Sequence, residues 1–185
     1  MQKLNQKWAA MSLNTMKAKP LPPLEELKEF LDYNPDTGIF TWIKKPGQST
    51  RVGHVAGSAI GNGYMRIKFK CIEYLAHRVA YYMYHGVDPL GKCIDHIDGD
   101  KANNKIDNLR LASIVQNGMN RVNLPSNNNS GAIGVCWDKK AKKWKAQIIA
   151  NKVYKHLGYF TSKEDAIKVR REAEIKYYGD FRSKD

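Results

Sequence analysis

Asp95, His96, Asp98 and Asp100 fall within six residues of the stretch CIDHIDGDKANNKIDNLR, residues 93–110, and Asn103, Asn104 and Asn108 follow closely. Carboxylates, an imidazole and side-chain amides at this density suit a hard cation and a proton acceptor working side by side. Asp95 offers the oxygen that Mg²⁺ prefers, and the neighbouring His96 can take a proton from water. Phosphodiester hydrolysis needs an activated water, neutralised charge at phosphorus and help for the departing oxygen. One histidine and one divalent ion supply all three. Adjacent strand residues project to opposite faces, so Asp95 and His96 serve one site only where the backbone bends or the strand ends, and the glycine of IDGDK offers such a break. A calcium loop is the competing reading. It lacks its Glu at position twelve, because Ile106, Leu109 or Leu111 stands there if Asp95, Asp98 or Asp100 opens the loop. Asp98 and Asp100 are expected to cap the turn.

Periodicity supplies the elements that must hold these groups. LEELKEFLDY sets Leu24, Leu27, Phe30 and Leu31 at helical spacing, and NPDTG ends the helix with turn residues. IFTWIKK reads as a strand, as does the alternation of Tyr64, Arg66 and Lys68 with Met65, Ile67 and Phe69; residues 47–63 between them read as an irregular connection or loose hairpin. Residues 74–85 suit a buried helix. NLRLASIVQNGMNR reads as a helix after a loop, with Leu109, Leu111 and Val115 apolar. VNLPSNNNSG, residues 122–131, is a polar, proline-bearing linker. Beyond it IGVCWD, KWKAQIIA and YKHLGYF are three short strands, followed by an amphipathic helix in SKEDAIKVRREAEIKYYG. That helix has Thr161 or Ser162 as N-cap and Gly179 past its end, with Ala166, Val169, Ala173 and Tyr177 turned to the sheet.

Lys plus Arg number 31 against 18 Asp plus Glu, a formal charge of +13 that favours a polyanionic partner, nucleic acid first. Residues 1–23 are expected to form a flexible basic arm, with four lysines and no acid in the first twenty residues. It reads as a solvated tail able to touch a phosphate backbone. Cys71, Cys93 and Cys136 show no C-x-x-C spacing and are expected to be small buried apolar residues in a reducing cytoplasm. No apolar run is long enough for a membrane span, and the first twenty residues lack the apolar middle of a secretion signal.

The segments AHRVAYYMYHG, CIDHIDGDKANNKIDNLRLAS and QN resemble the HNH nucleases in their phage and intron homing-endonuclease form, across residues 24–121 and most densely over 95–117. The resemblance implies a ββα-metal domain, two strands and a helix around one ion, in the cytoplasm of a bacterium or phage-infected host. By that likeness Asp95 and Asn117 hold the metal, His96 is the general base, and Asn108 hydrogen-bonds to fix the histidine or its loop. Asn117 stands where the family often has histidine. An amide oxygen still suits Mg²⁺ or Mn²⁺, and zinc is not expected. Asn103, Asn104 and Asn120 are candidate supports, Asn104 first. His77 is expected to be a buried, hydrogen-bonded support of the site and not a ligand. Arg78 is expected to reach a phosphate, with packing against the helix as its alternative. His54, His85 and His156 have no acidic partner in sequence and receive no catalytic role.

Residues 131–160 carry seven lysines and one aspartate, interleaved with Trp137, Trp144, Tyr154 and Tyr159. A small sheet with one cationic face can enter a major groove. Along WKAQIIA, Trp144, Ala146 and Ile148 share one face, and Lys145, Gln147 and Ile149 share the other, expected to meet DNA. IGVCWDKKAKKWKAQI and HLGYFTSKEDAIKVRREAEIKYYG resemble the DNA-binding domain of plant ethylene-response factors. That likeness implicates Trp137, Lys143, Lys145, Gln147, Tyr154 and His156. Departures such as Cys136 and Asp138 keep the plant target sequence from being carried over.

The sequence thus predicts an α+β chain: a nuclease domain over 24–121 and, over 132–185, a three-stranded antiparallel sheet packed on one helix. The expected activity is metal-dependent hydrolysis of double-stranded DNA by a monomeric, site-specific homing or nicking endonuclease. The alternatives are a catalytically inactive DNA-binding protein and a nuclease directed at RNA.

Overall fold

The computed structural model describes residues 19–120, 124 and 128–182. Most of the basic arm, residues 1–18, lies outside the described residues, as do 122, 123 and 125–127 of the linker. The chain divides into two compact units between Ser113 and Ile114. This division falls before the polar linker, so the helix bearing Asn117 groups with the second unit. The linker's far end is itself built: Asn128 Oδ1 accepts from the backbone of Ser130 and Gly131, while the buried Ser130 hydroxyl donates to the Val135 carbonyl at 2.7 Å.

In the first unit α1 (Leu24–Phe30) leads into the hairpin β1 (Leu31–Asn34) and β2 (Ile39–Trp42), with β3 (Val55–Ala56) paired to β2. The turn is written in NPDTG. Asn34 Oδ1 accepts from the backbone N–H of Asp36 and Thr37, and Gly38 takes φ +72°, a conformation that suits glycine. A second antiparallel sheet holds β4 (Ser58–Ala59), β5 (Met65–Phe69) and β6 (Ile72–Leu75), followed by α2 (Ala76–His85), which Gly86 closes at φ +73°. The irregular stretch 47–63 therefore contains two short strands, and the helix expected over 74–85 begins at Ala76 because Ile72–Leu75 pairs with β5. Leu27, Leu31, Phe40, Ile67, Phe69, Val79, Ile94 and Leu109 share one core, which ties both sheets and α2 to the third ladder, β7 (Cys93–His96) with β8 (Leu109–Ala112).

That ladder corrects the helix expected across 108–121. Leu109–Ala112 is a strand, and the helix is only α3 (Ile114–Met119). Leu111 is exposed, and so is Val115, so neither serves as a core position. The cysteines also differ from expectation: Cys71 and Cys136 are exposed and Cys93 is half-buried.

In the second unit β9 (Val135–Asp138), β10 (Lys143–Ala150) and β11 (Val153–Phe160) form an antiparallel sheet with β10 central. α4 (Lys163–Tyr178) starts at Ser162, whose side chain accepts from the Asp165 N–H. Its Ala166 packs with Val135 and Ala146, its Tyr178 hydroxyl donates to the Ile149 carbonyl, and α3 lies against the 3₁₀ turn Gly179–Phe181 that follows it. Among the described residues, no helix is long and apolar enough to cross a membrane.

Candidate active site

Register on the β7–β8 ladder decides what Asp95 meets. Asp95 pairs with Arg110, and directly opposed residues share a face. The guanidinium contacts the buried carboxylate through Nη2 at 2.6 Å and Nε at 2.8 Å, both on Oδ2. Sequence alone does not single out Arg110, because a helical Leu109–Ala112 puts it opposite nothing.

His96 is the last residue of β7, where the chain leaves the strand. The Gly99 N–H donates back to the His96 carbonyl, and Gly99 takes φ +77°. The loop that follows is stapled by Asn108. Its Oδ1 accepts from the Asp98 N–H at 3.0 Å, and its Nδ2 donates both to Asp98 Oδ1 and to the Asn103 carbonyl at 2.9 Å. Asp98 also accepts from the Asp100 N–H and the Asn103 amide, and Asp100 Oδ1 accepts from the Ala102 N–H. Burial raises the Asp98 pKa, but these hydrogen bonds outweigh it and hold the carboxyl below its ordinary value. Asn108 thus fixes the loop and makes its side-chain contacts there, not on the histidine ring.

Asn104, buried at 4 % exposure, faces that ring instead: its Oδ1 lies 3.4 Å from His96 Nε2. Asn104 Nδ2 donates to the Ala102 carbonyl at 3.0 Å, which orients the amide oxygen toward the imidazole. An amide oxygen only accepts, so this contact is a hydrogen bond in the tautomer protonated at Nε2, whose lone pair is on Nδ1. Burial pushes the His96 pKa below its ordinary value, against the opposing pull of Asn104 and the nearby aspartates. The ring is thereby kept neutral, with a lone pair able to accept a proton.

His77 stands edge-on to His96, with centroids 5.0 Å apart, and Tyr64 flanks both rings. Burial, with the His96 ring and Arg78 nearby, pushes His77 down to about 3. Its Nδ1 has no partner among the described residues, so the expected hydrogen-bonded histidine is corrected to a neutral ring acting by contact. Arg78 is corrected as well. It is buried and paired with Asp88 at 3.0 Å, which leaves packing and not phosphate as its role. Tyr64, with the Lys101 ammonium 4.8 Å from its ring centroid, is a further wall, where the alternating pattern points only to a strand face. Asn103 and Asn104 lie in this loop; Asn117 and the buried Asn120 belong to the second unit. Among the described residues, no group of three or more His, Cys, Asp or Glu is gathered to hold a metal.

His96 and the buried Asp95 lie within a stretch that is similar to a known family. Residues 74–119 match the HNH endonuclease family. The chain is also 41% identical over 66 residues to Protein 3.8 of Escherichia phage T7, an alignment covering 36% of this chain and 54% of that protein. The chain therefore spans about half the length of the curated relative it matches. No solved structure matches the chain. The HNH segment takes in Tyr64's two histidine neighbours, both strands of the β7–β8 ladder and α3. It does not reach β9, so the likeness of 132–185 to ethylene-response factors rests on its own residues alone.

In that second unit, pairing sorts the expected DNA-contacting residues by face. Lys145 opposes Cys136 and Tyr159, Gln147 opposes His156, Ile149 opposes Tyr154, and Lys143 opposes Asp138. Lys143, Lys145, Gln147, Tyr154 and His156 therefore share the face away from α4. A register shift between Ala146 and Gln147 keeps them aligned past Leu157, which packs into the core instead. Tyr154 donates to Gln147 Oε1 at 2.8 Å, which holds two of them in place. Trp137 is the correction. It opposes Trp144, edge-on at 5.4 Å between centroids, and so lies on the helix side of the sheet. The buried Arg170 is not legible in sequence, since the alanine and tyrosine stripe of α4 draws the helical face without it; it pairs with Glu174 one turn on, at 2.7 Å.

Proposed function

We propose that the chain is a divalent-metal-dependent endonuclease that hydrolyses phosphodiester bonds in double-stranded DNA, working as a site-specific homing or nicking enzyme. The observation that supports this best is the buried His96 ring, its Nε2 3.4 Å from the Asn104 amide oxygen and next in sequence to the buried Asp95, inside the HNH segment. By the family resemblance Asp95 and the Asn117 amide would hold the ion, and oxygen donors of this kind suit Mg²⁺ or Mn²⁺. Such an ion keeps several waters, whereas structural zinc takes four nitrogen or sulfur ligands. When bound it supplies charge neutralisation for the phosphate and the departing 3′ oxygen. His96 takes the proton of the attacking water at Nδ1, Asn104 keeps the ring from turning, and the Asn108 staple keeps the loop from spreading. The products are a 5′-phosphate and a 3′-hydroxyl. One such site in a monomer cuts one strand.

The second unit reads DNA with its exposed face. Lys143→Ala with Lys145→Ala is expected to weaken binding to every duplex about equally and to lower the slope of log affinity against log salt by about 2, one for each phosphate that a lysine no longer neutralises. An unchanged slope removes this face from the interface.

Incubation of the full chain with supercoiled plasmid tests the reading as a whole. Nicked circles are expected with Mg²⁺ or Mn²⁺ and only intact plasmid after chelation. Gel-shifted but uncut DNA under every metal condition identifies an inactive binding protein. Faster degradation of duplex or single-stranded RNA than of the plasmid moves the substrate to RNA.

A further inference from the structure

We propose that the β1–β2 hairpin is a positioning device for His96: the Tyr33 hydroxyl and the backbone at Pro35 and Gly38 clamp residues 104–106, and through the Asn104 amide they fix which ring nitrogen carries the proton. Only the role of His96 as base rests on the nuclease reading; the clamp is a matter of geometry.

Three contacts converge on one short stretch. The Tyr33 hydroxyl donates to the Asn104 carbonyl at 2.7 Å across a sequence separation of 71 residues. The Ile106 N–H donates to the Pro35 carbonyl at 3.0 Å. Gly38 presses its bare Cα on the same peptide, where a Cβ would stand 2.5 Å from both Asn104 C and Lys105 N. The hairpin does not graze the loop at scattered points. It grips the residue whose side chain meets His96 Nε2, and the turn doing the gripping is itself rigid through the Asn34 side chain. The phenol remains a donor at any working pH, because burial, with Tyr84 and Asp107 near it, raises its pKa above the ordinary value. Loss of one anchor lets the Asn104 peptide shift, and a misplaced amide no longer distinguishes Nε2–H from Nδ1–H. Tyr33 and Gly38 are thus positioning residues that act through the Asn104 peptide.

The test reads the ring directly, in the full chain labelled with ¹⁵N and at a pH where histidine is neutral. Long-range ¹H–¹⁵N correlation should show His96 in the parent as a single tautomer, protonated at Nε2. In Tyr33→Phe, which removes one oxygen and keeps the ring's packing, the two His96 nitrogens should move toward a mixed-tautomer average. Plasmid nicking should fall roughly tenfold to a hundredfold in kcat with KM unchanged. Gly38→Ala should shift the same nitrogens further; if that variant fails to fold, Tyr33→Phe decides alone. His96 signals in Tyr33→Phe that coincide with those of the parent overturn the proposal, whatever the nicking rate. A tautomer shift in Tyr33→Phe, together with a parent protein that never nicks DNA, sustains the clamp and removes the nuclease reading.

Discussion

His96→Ala is expected to nick supercoiled plasmid about 10²- to 10⁴-fold more slowly than the parent, the span that a positioned general base contributes. Gel-shift affinity for the same DNA should stay nearly unchanged, because the buried ring supplies no surface charge. The pH profile gives a second reading of the same residue. Only the neutral imidazole accepts a proton, and burial holds the His96 pKa below the ordinary 6.5. Nicking by the parent should therefore persist below pH 6.5 and decline only as the ring finally protonates. His96→Ala should lose that acid limb. Equal nicking by variant and parent removes His96 from the chemistry, and an acid limb centred above 6.5 assigns the titration to another group.

The second large effect is expected at Arg110. Its guanidinium faces the buried Asp95 carboxylate at 2.6 Å, with the two side chains 17% and 5% exposed. Removing one member of such a pair strands the other charge away from water, at a cost of about 3–5 kcal/mol. Arg110→Met, which keeps much of the volume, should lower the unfolding free energy of the full chain by that amount, read as a fall in the denaturation midpoint. Adding Asp95→Asn to it should recover most of the loss, since no charge is then left buried. Mn²⁺ should raise the midpoint of Arg110→Met more than that of the parent, because a cation at Asp95 then replaces the missing one. A midpoint that does not move on Arg110→Met shows that the pair is no part of the first unit's stability.

Turn chemistry and local hydrogen bonding are the most legible features of the chain. Asn34, Gly38, Asp98 and Asp100 announce their turns within a few residues, and the contacts that realise those turns are equally local. The Ser162 cap and the two faces of β10 are readable for the same reason. Leu109–Ala112 is not, since four residues are too few to display strand alternation, and Leu109, Leu111 and Val115 fit a helical stripe equally well. Misreading that strand conceals the Arg110–Asp95 pair, which exists only through antiparallel register. Arg78 shows a different limit. Its partner Asp88 lies ten residues away beyond the end of α2, and no periodicity connects them. Trp137 is misplaced because composition sets an aromatic residue near lysines without saying which side of the sheet it occupies; pairing with Trp144 does. Tyr33 and Asn104 meet across most of the first unit's length, a contact made by the fold as a whole.

The division of the chain at Ser113 bears on how such an enzyme could be retargeted. The obvious splice point is the polar stretch at 122–131, yet α3 lies against the turn after α4, so the short helix groups with the second unit. An exchange at that seam would part Ile114–Met119, which bears Asn117, from the turn that supports it. On the proposed reading, a chimera is better joined before Ile114, where the chain divides, so that this helix keeps the turn it lies against.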